Sequence, residues 1–386
     1  MDIFERDAAF VAGTYGRFPV HLVRGQGEYA WDEKGKKYID LGSGIAVNTF
    51  GYSDPVWAEA VTSQLNSLQH ASNLFYTDPC SALAEMICQK TGMKRVFFGN
   101  SGAEANECAI KVARKYASDK YGHQRHNIIT LKNSFHGRTI ATLAATGQDV
   151  FHKNFGPFPE GFLYAEANDL GSVRALMDEN TAAVMVECVQ GEGGVVALDK
   201  DFLTGVQALC QENDSLFMVD EVQTGNGRTG HLYSYMAYGL APDVFTTAKG
   251  LGGGLPIGAC VIGEKAQNTL GKGDHGSTFG GNPTVCAGAI SIFQRLNQDL
   301  LDEVKKKSQY IFDSLTGQKG IKGVTGMGLM IGIETEKPAP EVLSSLRDMG
   351  VIALSAKTKV RLLPPLSISW DALKEAVNAI REVCAR

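Results

Sequence analysis

The sequence predicts an α/β protein: a large domain with a mostly parallel central sheet flanked by helices, and a small α+β domain. Three observations carry this reading. Unbroken apolar runs such as 216–219 (LFMV) and 182–186 (AAVMV) read as strands buried on both faces, the habit of parallel sheets. Residues 96–104 give a strand, a tight turn and a helix start marked by Ser101 and Glu104 in capping-box spacing. Beyond residue 282 the pattern changes to helices reaching about residue 315, then short strands, then a last helix. With 386 residues, 44% of them hydrophobic and 20% charged, the chain is long enough for two cores.

Taken in order, residues 20–23, 28–32 and 38–41 read as strands, with EKGK as a hairpin turn between the last two. Helical spacing covers 54–68 and 79–90, each with Asp-Pro at its start. The strand at 96–98 leads into its helix, and further strands follow at 128–131, 182–187, 216–219 and 244–247. Asn282 and Pro283 mark the N-cap and first position of a long helix. Strands are expected at 327–333, 351–354 and 360–363. In the closing helix Leu373, Ala376, Val377, Ile380 and Val383 line one face. These elements divide into an arm at 1–48 that joins the small domain, a large domain at 49–281 and the rest of the small domain at 282–386.

The chemistry concentrates in residues 216–256. Asp220 and Glu221 stand where a buried strand ends, and groups at the carboxyl ends of strands line the ligand crevice of an open α/β sheet. A second strand delivers Lys249 into the glycine-rich turn at 250–254, where the backbone can pass close to a flat ligand. Pyridoxal phosphate asks for this pairing: a lysine for its aldehyde and a carboxylate for its pyridinium nitrogen. Either residue alone would read as an ordinary surface charge.

The segments VDEVQTGNGRTG, TTAKGLGGGLPIGA and HGSTFGGNP, in this order, closely resemble the class III aminotransferases, pyridoxal-phosphate enzymes of fold type I; their wording is most similar to the acetylornithine aminotransferase group. The resemblance covers nearly the whole chain and implies roles for individual residues. Lys249 would be the catalytic amine. Asp220, Glu221, Val222 and Gln223 would bind the cofactor, with Gln223 on its ring hydroxyl, and Phe135 would stack on its ring. Ser101, Gly102 and Ala103, at a helix N-terminus suited to anions, would hold its phosphate. Arg138 would grip the substrate α-carboxylate. Glu192 would pair with Arg361 while the ω-amino donor is bound and release it to the keto acid. Thr278 would reach the phosphate in a neighbouring subunit and Ser277 would lie by the substrate, which implies a homodimer with shared sites. Ile45 stands where ornithine aminotransferases carry a tyrosine, which fits a donor with an acylated α-amine, such as N2-acetylornithine with 2-oxoglutarate as acceptor; an ordinary core isoleucine would read the same way. Cys188 departs from the proline usual in the family.

Other classes fit less well. Gly225, Gly227 and Gly230 form a literal G-x-G-x-x-G after a strand, but two acids sit where a pyrophosphate would dock and no ribose-binding acid follows at the required distance. A non-catalytic regulator is disfavoured, since nothing here resembles an appended DNA-binding domain and both candidate substrate arginines, Arg138 and Arg361, are present. A net charge of −5 argues against a nucleic-acid partner. No apolar run is long enough to span a bilayer, and MDIFERDAAF lacks the core of a signal peptide, so a cytoplasmic location is expected. The eight cysteines form no C-x-x-C pair and read as reduced, buried thiols. His123 and His126 have no partnering ligand pattern, so no metal site is expected.

Overall fold

The computed structural model describes residues 1–386. It opens with an exposed helix, α1 (Ile3–Phe10), and three short strands, β1 (Leu22–Gln26), β2 (Tyr29–Asp32) and β3 (Lys37–Asp40). Two helices follow. α2 (Pro55–Ser67) starts at Asp54, whose carboxylate accepts the Trp57 N–H at 3.0 Å. In α3 (Asp78–Thr91) the capping position is Thr77, so the aspartate of the Asp-Pro pair is already inside the helix.

The large sheet is assembled next, from β4 (Arg95–Gly99), β5 (Asn127–Leu131), β6 (Phe162–Ala165), β7 (Thr181–Val186), β8 (Leu216–Asp220), β9 (Val244–Thr247) and β10 (Gly258–Ile262). Its order is β4-β10-β9-β8-β7-β5-β6, parallel except for β10, which runs against both its neighbours. β10 had no counterpart in the sequence reading because it emerges from the Gly/Pro-broken run after Lys249.

Strand residues alternate between the faces of this sheet. Leu216 and Met218 pack with Cys108, Ala109 and Val112 of α4 (Gly102–Tyr121). Phe217 and Val219 pack with Phe202, Leu203 and Val206 of α5 (Lys200–Glu212). Helices thus cover both faces, which is why the strands are apolar throughout. Continuing the alternation, Asp220 emerges on the α4 side and Glu221 on the other.

The C-terminal part contains α6 (Pro283–Arg295), α7 (Gln298–Leu315), β11 (Ile321–Met327), β12 (Met330–Thr335), α8 (Ala339–Asp348), β13 (Val351–Ile352), β14 (Leu354–Ala356), β15 (Lys359–Leu362) and α9 (Trp370–Ala385). Asn282 caps α6, its side chain accepting from the Thr284 and Val285 N–H groups. α6 packs on α2 and α3. The single strand expected at 327–333 is instead a hairpin, because Gly328, at φ 60°, turns the chain between β11 and β12. The antiparallel sheet there has the order β11-β12-β15-β14, while β13 pairs in parallel with β3 and extends the N-terminal sheet β1-β2-β3. No helix is long and apolar enough to cross a membrane.

The glycine at the mouth of β10 ties the fold to the crevice. A methyl group on Gly258 would fall on the Ser101 carbonyl oxygen. Gly258→Ala is therefore expected to destabilise the protein by about 1–3 kcal/mol, the usual cost of overpacking, read as a lowered thermal midpoint; an unchanged midpoint would show that the two segments are not in contact.

Candidate active site

A cavity of about 420 Å³ opens at the carboxyl ends of the parallel strands. Lys249, Asp220, Val222, Gln223, Ser101, Gly102, Ala103, Phe135 and Arg138 all line it. Nine of the residues singled out from the sequence thus converge from four separate segments.

Lys249 follows β9 with a left-handed φ of 43°. Its backbone is held on both sides: Asn226 Nδ2 donates to Thr247 Oγ1 at 2.9 Å and to the Ala248 carbonyl at 3.2 Å, and Thr49 Oγ1 donates to the Gly250 carbonyl at 2.7 Å. The side chain is half-buried and lines the cavity. Burial pulls the Lys249 ammonium down to about 8, with Arg361 adding to the fall and Glu192 opposing it.

Asp220 is 3% exposed, and both oxygens of its carboxylate are hydrogen-bonded. Oδ2 accepts from Asn106 Nδ2 and from His136 Nδ1, both at 2.8 Å, and Oδ1 accepts the Val222 N–H at 2.9 Å. Asn106 is fixed in turn, donating to the His136 carbonyl at 2.7 Å and accepting from Thr246 Oγ1 at 2.6 Å. Burial opposes a charge on His136, but the Asp220 carboxylate outweighs it and raises the imidazole above its ordinary value. Glu187, also in the wall, is lifted by burial to about 7 and accepts the Phe135 N–H at 2.9 Å. Asn106, His136, Glu187, Asn226 and Thr49 were all missed from the sequence. Only tertiary packing brings them to the strands.

Glu221 is the correction. It does not line the cavity; it lies on the opposite side of the strand end, accepting from Thr224 Oγ1 at 2.6 Å, Ser234 Oγ at 2.7 Å and the Tyr235 N–H at 2.8 Å. It braces the loop after β8. The capping box differs as well. Ser101 Oγ accepts the Glu104 N–H at 3.1 Å, but the Glu104 carboxylate reaches the N–H of Asn100 rather than that of Ser101.

Beyond the cavity wall, Gln223 links to an ion pair between the buried Arg361 and the half-buried Glu192. Arg361, 3% exposed, donates from Nη1 to Glu192 Oε1 at 2.5 Å and to Gln223 Oε1 at 3.2 Å. Burial alone would raise the Glu192 carboxyl; Arg361 first, then Lys249, outweigh it and hold it below its ordinary value. Arg138 lies exposed at the rim, its guanidinium 4.0 Å from the Phe151 ring centre, and Phe135 meets Phe151 edge-on at 5.9 Å. Ser277 Oγ accepts from Asn100 Nδ2 at 3.2 Å, while Thr278 stands outside the cavity on the open surface. Ile45 is 42% exposed in a left-handed stretch, so it is not a core residue.

The residues present fit a phosphorylated pyridine aldehyde. The Gly102 and Ala103 N–H groups have no partner within the chain, leaving donors for a phosphate. An amine and a buried carboxylate face the same space, and His136 Nε2 is a buried polar atom without a partner.

A site and fold of this kind define a pyridoxal-phosphate enzyme of fold type I. The family model "Aminotransferase class-III" matches residues 10–384, and the chain belongs to the class III aminotransferases, which depend on that cofactor. A curated relative, the acetylornithine aminotransferase of Haemophilus ducreyi, is 50% identical over 384 residues, 99% of this chain and 98% of that protein. An ornithine aminotransferase structure from Toxoplasma gondii, described with pyridoxal phosphate at its active site, is similar with a TM-score of 0.94 and 31% identity, over 99% of this chain and 93% of that one. An N-acetylornithine aminotransferase from Stenotrophomonas maltophilia is similar with a TM-score of 0.85 and 34% identity, over 99% of this chain and 98% of that one.

The depressed Lys249 amine gives a pH test. A lysine is nucleophilic only when neutral, so labelling of Lys249 in the cofactor-free protein by an amine-selective reagent is expected to rise with pH about a midpoint near 8 rather than 10.5. Peptide-resolved mass spectrometry reads this residue separately, and a midpoint near 10.5 would mean that its surroundings do not depress the amine.

Proposed function

We propose that this enzyme transfers the δ-amino group of N2-acetyl-L-ornithine to 2-oxoglutarate, giving N-acetyl-L-glutamate 5-semialdehyde and L-glutamate, a step of arginine biosynthesis. The observation that carries the two-substrate reading is the pair of buried Arg361 with half-buried Glu192 near Lys249. Two substrates of different charge must use one pocket in turn. A guanidinium neutralised by a movable carboxylate suits both: paired, it tolerates a donor with no carboxylate near its reacting carbon, and released, it binds the carboxylate beside the keto carbon of 2-oxoglutarate. The choice of donor is supported by the identity to the Haemophilus ducreyi enzyme and by the apolar, exposed Ile45, which offers no partner to a free α-ammonium.

Bound pyridoxal phosphate supplies an aldehyde that bonds amines and a ring that accepts the electron pair released at the substrate carbon. The chain does the rest. Lys249 Nζ holds the aldehyde at rest and, when freed, takes the proton from the amine-bearing carbon of the donor. Asp220, oriented by its three hydrogen bonds, would face the ring nitrogen as the carboxylate partner of its proton. Ser101, Gly102 and Ala103 would hold the phosphate, Phe135 and Val222 would flank the ring, and Gln223 would meet its hydroxyl. Arg138 at the rim orients the donor's α-carboxylate, with Ser277 beside it.

The functional unit in this reading is a homodimer. Asn73 Nδ2 donates to the Ser277 and Gly280 carbonyls, which lays residues 73–76 against 277–280. Leu74, Phe75, Tyr76 and Phe279 form an exposed apolar surface there, with Thr278 in it. Apolar clusters of this kind mark interaction surfaces, and a second copy that covers it would receive Thr278 at its cofactor phosphate. The arm and C-terminal part are read as one small domain, supported by the pairing of β3 with β13; the packing of α6 on α2 and α3 favours a boundary after Arg295 rather than at 282.

Two measurements test this. The value of kcat/KM with 2-oxoglutarate as acceptor is expected to be highest for N2-acetylornithine, above ornithine, 4-aminobutyrate and N-succinyldiaminopimelate; a lead of about 1–3 kcal/mol for another donor, the worth of one methylene or acyl contact, would replace the named substrate. Sedimentation is expected to give twice the 41.5 kDa chain mass, and Phe75→Asp with Phe279→Asp to give the single chain with activity lost. A fully active monomer would remove the shared-site reading.

A further inference from the structure

The glycine-rich run at 225–230, which mimics a dinucleotide loop, binds protein instead. Gly227, at φ 87°, lies against Leu366, Leu296 and Leu301, and Gly230, at φ 80°, against Lys305. Between them stands Arg228, 3% exposed. Burial pulls its guanidinium down to about 9, and no carboxylate pairs with it. Its partners are main-chain carbonyls: Nη1 donates to Leu329 at 3.1 Å and to Pro364. The Arg228 carbonyl itself accepts the Leu329 N–H at 2.9 Å.

Those two carbonyls belong to the ends of paired strands. Leu329 precedes β12 and Pro364 follows β15, and in the ladder between these strands Gly332 stands opposite Arg361. Arg228 thus clamps the end of the strand pair from which Arg361 projects, while Gln223, five residues earlier, holds the Arg361 guanidinium directly. Burying a guanidinium without an anion costs several kcal/mol. A clasp needed only for cohesion could be apolar at lower cost, whereas two hydrogen bonds from one nitrogen fix the height and rotation of a strand.

We infer that Arg228 is a positioning residue for the acceptor half of the reaction: it sets Arg361 where the carboxylate beside the keto carbon of a dicarboxylic keto acid must bind. The inference rests on the reading of Arg361 given above. The donor half, which does not use a free Arg361, is independent of it.

The test uses holoenzyme and follows the two half-reactions separately by the cofactor's absorbance, for Arg228→Lys, Arg228→Gln and the control Arg361→Lys. For both Arg228 variants KM for 2-oxoglutarate, and Kd for glutarate as a dicarboxylate without the keto group, are expected to rise about 10- to 100-fold, the effect of misplacing a binding group by about 1 Å. Rate and KM with the amino donor stay at parent values. The inference is overturned if Arg361→Lys raises KM for 2-oxoglutarate while the Arg228 variants do not, or if both half-reactions decline together, as a merely structural clasp would require. An unchanged KM in Arg361→Lys would instead refute the reading of Arg361, and the inference would go with it. Should Arg228→Gln fail to fold, Gly328→Ala loosens the same clasp from the other side, since its methyl group would lie 2.5 Å from the Arg228 carbonyl oxygen; it must show the same selective loss.

Discussion

A carboxylate held out of water at the mouth of the sheet is the constraint on which the rest of this structure depends. A carboxylate in such a place is costly unless its oxygens are met, and two segments remote in sequence join the turn that follows Asp220 to do so. Asn106 comes from the helix after β4, His136 from the loop after β5, and the Val222 N–H from the turn after β8. Thr246 on β9 fixes Asn106, so the strand that delivers Lys249 is tied to the same network. Amine and acid are therefore positioned by one set of hydrogen bonds rather than by two independent loops.

A second set of charges lies behind the first. Gln223 stands between them, lining the cavity on one side and touching both Glu192 and Arg361 on the other. The geometry couples the cofactor's surroundings to the guanidinium without a direct bond between Lys249 and Arg361.

Much of this was legible before the structure. Strands buried on both faces betray themselves as unbroken apolar runs, and the helix start at Ser101 is written in its capping residues. Placing Glu221 beside Asp220 at the cofactor was avoidable: adjacent strand residues point to opposite faces, so only one of two neighbouring acids could enter the crevice. The partners of Asp220 were a different matter. His136 sits between Phe135 and Arg138, both read as functional, yet nothing local says that an imidazole there meets a carboxylate 84 residues away. β10 escaped because its Gly/Pro-broken approach hid a strand, and the hairpin at Gly328 because apolar residues on both sides of the turn read as one run.

The central claim is covalent: the amine at position 249 is the one that bonds the cofactor aldehyde. Reducing the holoenzyme with borohydride, digesting it and locating the phosphopyridoxyl group by mass spectrometry tests this directly. The account predicts one group per chain, on the peptide containing Lys249. A group found on another lysine, or none on any, would contradict it.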